Sequence, residues 1–265
     1  MQFFQKTKSE TRTGMSANLG TLIVTGGGRG IGAAIARLAA RRAFAVAVNY
    51  VADEAAASGV VREIQNGNGQ AIAIRADVSR EREVVQLFKD AERNLGPLVA
   101  LVNNAGITGG FSRVVDVQAS TVERVLAVNV TGALLCARET VRRISKRRGG
   151  AGGSIVNISS RAAQLGSPGE WIHYAMTKGA IDTLTIGLAR EVASDGIRVN
   201  AVAPGLVETD IHATAGDPDR PQRMASGIPL GRGAQPEEIA EAVLWLLSPS
   251  AAYITGAILP VSGGR

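Results

Sequence analysis

The stretch "TLIVTGGGRGIGAAIARLAA" (residues 21–40) decides the fold of this 265-residue chain. Thr21 to Val24 is a short run rich in β-branched and apolar side chains. Ile31, Ile35 and Leu38 then recur at helical spacing, with Ala34 and Ala39 beside them. Between the two patterns lie Gly26, Gly27, Gly28, Gly30 and Gly32. Glycine admits positive φ and lets another group reach the backbone. A helix start offers unpaired N–H groups and a positive dipole end, which suit a phosphate. A plain tight turn has no need of so many glycines, and no Gly-Lys-Ser/Thr closes the motif as a P-loop requires.

The same alternation continues along the chain. "FAVAVNY" (44–50), "AIAIRA" (71–76), "LVALVNNAG" (98–106), "SIVNISS" (154–160), "IRVNAVAP" (197–204) and "AILPV" (257–261) read as further strands. Helical patterns fall at 53–65, from a Ser79 cap to Gly96-Pro97, at about 118–147, at 173–194 and at 236–248. Near-continuous apolar strands joined by helices predict a parallel sheet covered on both faces. The expectation is an α/β, Rossmann-like, doubly wound fold: one seven-stranded parallel sheet in a single domain over 19–265. Ligands of such sheets bind beyond the carboxyl ends of the strands, where the glycine turn, "NNAG", "NISS" and "VAPG" all fall.

Composition narrows the function. Residues 1–18 are polar, read as a disordered extension, and carry Lys6, Lys8 and Arg12 against Glu10; Met15 is an alternative start. They lack the apolar core of a signal peptide, and no unbroken apolar run is long enough for a membrane span. A cytoplasmic protein is expected. Cys136 is the single cysteine, so an internal disulfide framework is excluded, and no cluster has metal-ligand spacing. The net charge is +6, and its densest run, "RRISKRR" (142–148), reads as a helix C-terminus. No aromatic side chains interleave with it as a base-stacking platform would need. Two histidines and no Gly-x-Ser-x-Gly elbow argue against a hydrolase triad. His173 is read as a pocket wall or surface group, His212 as part of a lid over about 206–228, and Trp245 as core.

Tyr174 and Lys178 are spaced i and i+4, so they share a helix face. A neighbouring ammonium favours the phenolate, and the expectation is that Lys178 pulls the Tyr174 hydroxyl below its free value of about 10. "TGGGRGIG", "NNAG", the pairing of "NISS" with "YAMTK", and "VAPG" together resemble the classical short-chain dehydrogenases/reductases, from about Thr21 to Gly264. Within that family the chain is most similar to 3-oxoacyl-[acyl-carrier-protein]-reductase-like and glucose-dehydrogenase-like members. The resemblance implies a nicotinamide-dependent oxidoreductase that interconverts a carbonyl and an alcohol, assembled as a homotetramer.

The resemblance also assigns roles. Gly26, Gly30 and Gly32, with Ile31, would surround the cofactor pyrophosphate. Asp77 and the Val78 backbone would bind adenine. Asn104 and Gly106 would line the adenosine-ribose side, and Pro204, Gly205, Val207 and Thr209 would border the nicotinamide. Asn129 would hold a water connecting Lys178 to solvent. Ser160 would bond the substrate oxygen, Tyr174 would exchange the proton, and Lys178 would also clamp the nicotinamide ribose. Ser160 lies fourteen residues before Tyr174, one more than in many members, which leaves Ser159 as the alternative.

The cofactor's second phosphate is read from the end of the second strand. An NAD-specific site places a carboxylate there, whereas this chain has Asn49 and Tyr50, with Asp53 read as a helix cap. Arg29, inside the glycine turn, is placed to meet a 2′-phosphate. NADP(H) is the expected cofactor, with NAD(H) as the alternative. Two other readings stand beside the enzyme: a non-catalytic dinucleotide sensor on the same fold, and a nucleic-acid-binding protein.

Overall fold

The computed structural model describes residues 18–209, 215–217 and 219–265. Nearly all of the expected N-terminal extension, and His212 of the expected lid, lie outside the described residues. The strands are β1 (Thr21–Val24), β2 (Ala45–Tyr50), β3 (Ala71–Arg75), β4 (Leu98–Asn103), β5 (Gly153–Ile158), β6 (Ile197–Pro204) and β7 (Ile258–Val261). They form one parallel sheet in the order β3-β2-β1-β4-β5-β6-β7, so the Rossmann-like, doubly wound expectation holds.

The helices α1 (Gly30–Arg41), α2 (Glu54–Asn66), α3 (Glu81–Leu95), α4 (Ala119–Leu126), α5 (Ala133–Ile144), α6 (Ala162–Leu165), α7 (Ile172–Val192), α8 (Arg220–Met224) and α9 (Pro236–Leu247) complete the order among the described residues. Alternate strand side chains feed two cores. Leu22, Val24, Val46 and Val48 join Ile35 of α1, Val60 of α2 and Leu244 of α9 on one face. Ile23, Ala47 and Leu101 join Phe88 of α3, Cys136 of α5 and Val192 of α7 on the other. Because β1 sends the chain one way to β2 while β4 carries it the other way, their carboxyl ends open a crevice between them.

Three sequence expectations change. Ser79 does not cap α3: Arg80 is the N-cap, and the Ser79 hydroxyl instead donates to Asp77 Oδ1 at 2.7 Å. The helix expected across 118–147 is interrupted by a π-helical turn at Ala127–Gly132. Trp245 is 41% exposed rather than core, because the buried stripe of α9 runs through Ile239, Ala240, Val243, Leu244, Leu246 and Leu247. Although no unbroken apolar run is long, the combined helix Ala119–Ile144 is long and apolar enough to cross a membrane by length and composition. Here it packs against β4, α3 and α7.

Candidate active site

The glycine turn leaves β1 and enters α1 through a conformation that side chains would spoil. Gly26 and Gly30 have φ of +61° and +51°, where only glycine sits without strain. A Cβ on Gly32 would lie 2.3 Å from the Gly26 carbonyl oxygen. Asn104, just past β4, locks the turn by donating its amide to the carbonyls of Thr25 (2.9 Å) and Gly26 (3.0 Å). The α1 N-terminus has no side-chain cap and no acidic residue in its first turn. Its N–H groups therefore face the crevice as an open anion site, and this chemistry fits a dinucleotide pyrophosphate.

A cleft of about 1100 Å³ runs from this turn across the carboxyl ends of the strands. Every expected cofactor residue, from Gly26 to Thr209, borders it, as do Ser160, Tyr174 and Lys178. Asn129 lies behind the wall, fully buried. Its Oδ1 accepts from the Ile107 N–H, and its Nδ2 donates to the Ile107 carbonyl and to Thr177 Oγ1, at 2.9, 2.9 and 3.0 Å. Its side chain is thus occupied in fixing the segment after β4.

On the adenosine side the structure gives two residues duties the sequence did not show. Asn49 is 1% exposed and braces the backbone: Oδ1 accepts from the Gly26 N–H (3.2 Å), while Nδ2 donates to the Ala76 carbonyl at 2.9 Å. Asp77 holds Ser79 on one oxygen and Arg124 on the other, the latter at 3.0 Å. Burial alone would raise its carboxyl, but the hydrogen bonds from Ser79 and Arg124 outweigh that and keep it below the usual carboxylate range. Arg124, 47 residues on in the chain, escaped sequence reading because only the fold brings it to Asp77. Asp53 caps α2 as expected, accepting the Ala56 N–H at 2.9 Å.

At the other end α7 presents Tyr174 and Lys178 on one face. Ser160 acts on the Tyr174 hydroxyl and favours its ionised form, whereas Ser159 turns away and donates to Asp182 Oδ1 at 2.5 Å. The geometry thus separates the two serines left open by spacing. Lys178 Nζ sits 5.5 Å from the Tyr174 ring centroid and donates to the Ile158 carbonyl at 2.7 Å. Burial pushes the Tyr174 hydroxyl up to about 12, with Ser160 opposing. The expected lowering by Lys178 is therefore not found: burial dominates at Tyr174. Burial also pushes Lys178 down to about 8, with Asp182 holding it up. Desolvation outweighs the opposing effect of Ser160 on Tyr174 and of Asp182 on Lys178.

The substrate end has a wall that sequence reading missed. Phe111 stacks on Trp171 (centroids 4.6 Å apart), and Trp171 meets Tyr174 edge-on at 6.0 Å. The Arg220 guanidinium lies 4.8 Å from the Trp171 centroid and pairs both terminal nitrogens with Glu170, at 2.6 and 2.7 Å. His173 faces away, buried, with Nε2 2.8 Å from the Thr108 carbonyl oxygen, so it is neither a pocket wall nor a surface group.

Comparison with known proteins gives a consistent picture. A family model described as enoyl-(acyl carrier protein) reductase matches residues 26–265. The chain is 50% identical to an uncharacterized oxidoreductase, YgfF, of Escherichia coli (strain K12), over 92% of this chain and 98% of that one. It is 36% identical to glucose 1-dehydrogenase 2 of Bacillus subtilis (strain 168), over 92% and 93%. A solved dehydrogenase/reductase from Sinorhizobium meliloti 1021 superposes with a TM-score of 0.86 at 35% identity, covering 94% of this chain and 96% of that one. The chain belongs to the classical short-chain dehydrogenases/reductases and is a nicotinamide-dinucleotide-dependent oxidoreductase.

Proposed function

We propose that this oxidoreductase interconverts a small-molecule carbonyl and alcohol, with NADP(H) as the preferred cofactor and Tyr174 as the proton donor and acceptor. The observation that carries the reading is that Ser160, Tyr174 and the buried Lys178 border one cleft, with Lys178 Nζ 5.5 Å from the Tyr174 ring centroid. The bound cofactor supplies or accepts a hydride at the carbonyl carbon. The chain's own groups do the rest. Ser160 and Tyr174 donate hydrogen bonds to the substrate oxygen as negative charge develops there, in a site where burial strengthens them. A hydroxyl held near 12 is protonated at neutral pH, which suits Tyr174 to giving its proton during reduction. Lys178, charged below about 8, then stabilises the phenolate left behind. A water relay beginning at Asn129 would use its main-chain carbonyl, because the side-chain amide is engaged.

The α1 N-terminus and glycine turn would hold the pyrophosphate, and Arg29 the 2′-phosphate. Asp77 would share its carboxylate between the adenine and Arg124. A cytoplasmic homotetramer is part of the same reading. Exposed Leu126 and Leu134 on the α4–α5 unit, Met176 and Ile186 on α7, and Tyr253 near β7 are apolar surface such an assembly would cover. A non-catalytic sensor would have no use for the Ser160–Tyr174–Lys178 set.

The test is Tyr174→Phe, assayed on a panel of carbonyls and alcohols with both cofactors. Turnover should fall by roughly 10²–10⁴-fold while cofactor binding persists. Near-wild-type turnover in the folded variant rejects the reading.

A further inference from the structure

Lys178 is a buried ammonium whose hydrogen-bond acceptor among the described residues is the neutral Ile158 carbonyl. A buried charge needs compensation. Around it, β5 brings Ile158 and, just past its end, Ser159, the segment after β4 brings Gly106, and the π-helical turn brings the neutral Asn129 amide. Its own helix brings Tyr174 one turn before and Asp182 one turn after, so that the three occupy i, i+4 and i+8 on one face of α7. Asp182 is the charged member that favours the ammonium.

Two further contacts fix Asp182. Oδ1 accepts from the Ser159 hydroxyl at 2.5 Å, and Oδ2 accepts from Gln164 Nε2 at 3.1 Å. Ser159 precedes Ser160, and Gln164 lies on α6, immediately beyond it. One carboxylate therefore ties the turn that carries Ser160 to the helix that carries Tyr174 and Lys178. We infer that Asp182 is a positioning residue for the proposed proton-transfer set: it is the counter-charge that keeps Lys178 an ammonium, and through Ser159 it sets the seat of Ser160. Lys178's place in that set rests on the function proposed above; the pairing with Asp182 does not. Without the carboxylate, burial would drive the ammonium toward its neutral form at a lower pH, and neutral Lys178 cannot support a phenolate.

Asp182→Asn tests this, because the amide oxygen can still accept from Ser159 while the charge is gone. The chain has five lysines, at 6, 8, 89, 146 and 178, so lysine labelled with ¹³C at Cε gives few NMR signals. The Lys178 signal is assigned by its loss in Lys178→Met. In the cofactor-free wild type it should titrate near 8, and in Asp182→Asn about one pH unit lower. Ser159→Ala, which frees the carboxylate from its anchor, should shift it the same way by less, and it decides the matter if Asp182→Asn does not fold. In turnover, the alkaline limb of carbonyl reduction should move to lower pH with Asp182→Asn. An unmoved Lys178 titration, with Asp182→Asn folded, overturns the counter-charge. If Tyr174→Phe abolishes reduction while Lys178 titrates unchanged, this inference alone fails; if Lys178 shifts while Tyr174→Phe stays active, the proposed function alone fails.

Discussion

The side-chain oxygen of Asn49 accepts the backbone N–H of Gly26 at 3.2 Å, joining the end of β2 to the first glycine of the turn. The same amide's nitrogen donates to the carbonyls of Tyr50, Ile74 and Ala76. The residue at the cofactor-choosing position is therefore a brace for the turn. Asn49→Ala removes the acceptor of the Gly26 N–H and the side-chain donor to the Ala76 carbonyl, at a cost of about 1–3 kcal/mol in unfolding free energy. Because the pyrophosphate cradle loosens as a whole, NADH and NADPH should weaken alike. Denaturant melts and paired cofactor titrations check both, and a loss confined to one cofactor contradicts the bracing role.

The buried pair at Tyr174 and Lys178 makes stability depend on alkaline pH in two opposed steps. Lys178 falls from its ordinary 10.5 to about 8. Between those values the unfolded chain holds a proton the native state has shed, so stability rises with pH. Tyr174 rises from 10.0 to about 12. Across that window the native state holds a proton the unfolded chain has lost, so stability falls. Lys178→Met should remove the rise and stabilise the fold at pH 7 by about 2–4 kcal/mol, since the full cost of the buried charge is present below both values. Tyr174→Phe should remove the fall above pH 10. Melts of the two variants from pH 7 to 11 check this, and a Lys178→Met less stable than wild type at pH 7 contradicts it.

These residues mark how far the sequence could be read. Ile31, Ile35 and Leu38, and the Val84-Leu87-Phe88-Ala91-Leu95 face, announced α1 and α3 because burial imposes a 3.6-residue period. Glycines at 26, 30 and 32 announced the turn because no other residue fits it. The π-helical turn stayed hidden, since one widened turn leaves the period on either side intact. The Asn49 brace, the Asp77–Arg124 pair and the Phe111–Trp171–Arg220–Glu170 wall stayed hidden for another reason. Each joins segments whose proximity exists only once the sheet is assembled.

The Arg220–Glu170 pair is lopsided: the arginine side chain is 6% exposed and the glutamate 31%. Removing either partner strands the other, and the cost depends on which one is left in the dry. Glu170→Ala leaves a buried guanidinium against Trp171 and Phe111, with its Nε also without a partner among the described residues. Arg220→Ala leaves a carboxylate that water can reach. Glu170→Ala should therefore open α8 more than Arg220→Ala does, read as faster amide exchange over 219–224. Restoring the wall's neutrality with both substitutions should recover part of the loss. Equal effects of the two single variants would show that packing on Trp171, rather than charge, holds the wall.

The proposed NADP(H) preference rests on Arg29. It is the exposed N-cap residue of α1, at the lip of the cleft where the end of β2 brings Asn49 and Tyr50 rather than an acidic residue. Asp53 also borders that lip, but one of its oxygens is committed to capping α2. A 2′-phosphate placed there would meet the guanidinium in a charge-assisted hydrogen bond, which the 2′-hydroxyl of NADH offers only weakly. Because Arg29 is solvent-exposed, screening limits the gain, and Arg29→Ala should weaken NADPH binding by about tenfold, the equivalent of ~1.4 kcal/mol, while leaving NADH binding within about twofold. Raising the salt concentration should erode the wild-type preference for NADPH and leave the variant unchanged. Titration of both reduced cofactors into both proteins at two ionic strengths measures this, and a wild-type protein that binds NADH more tightly would reject the NADP(H) preference outright.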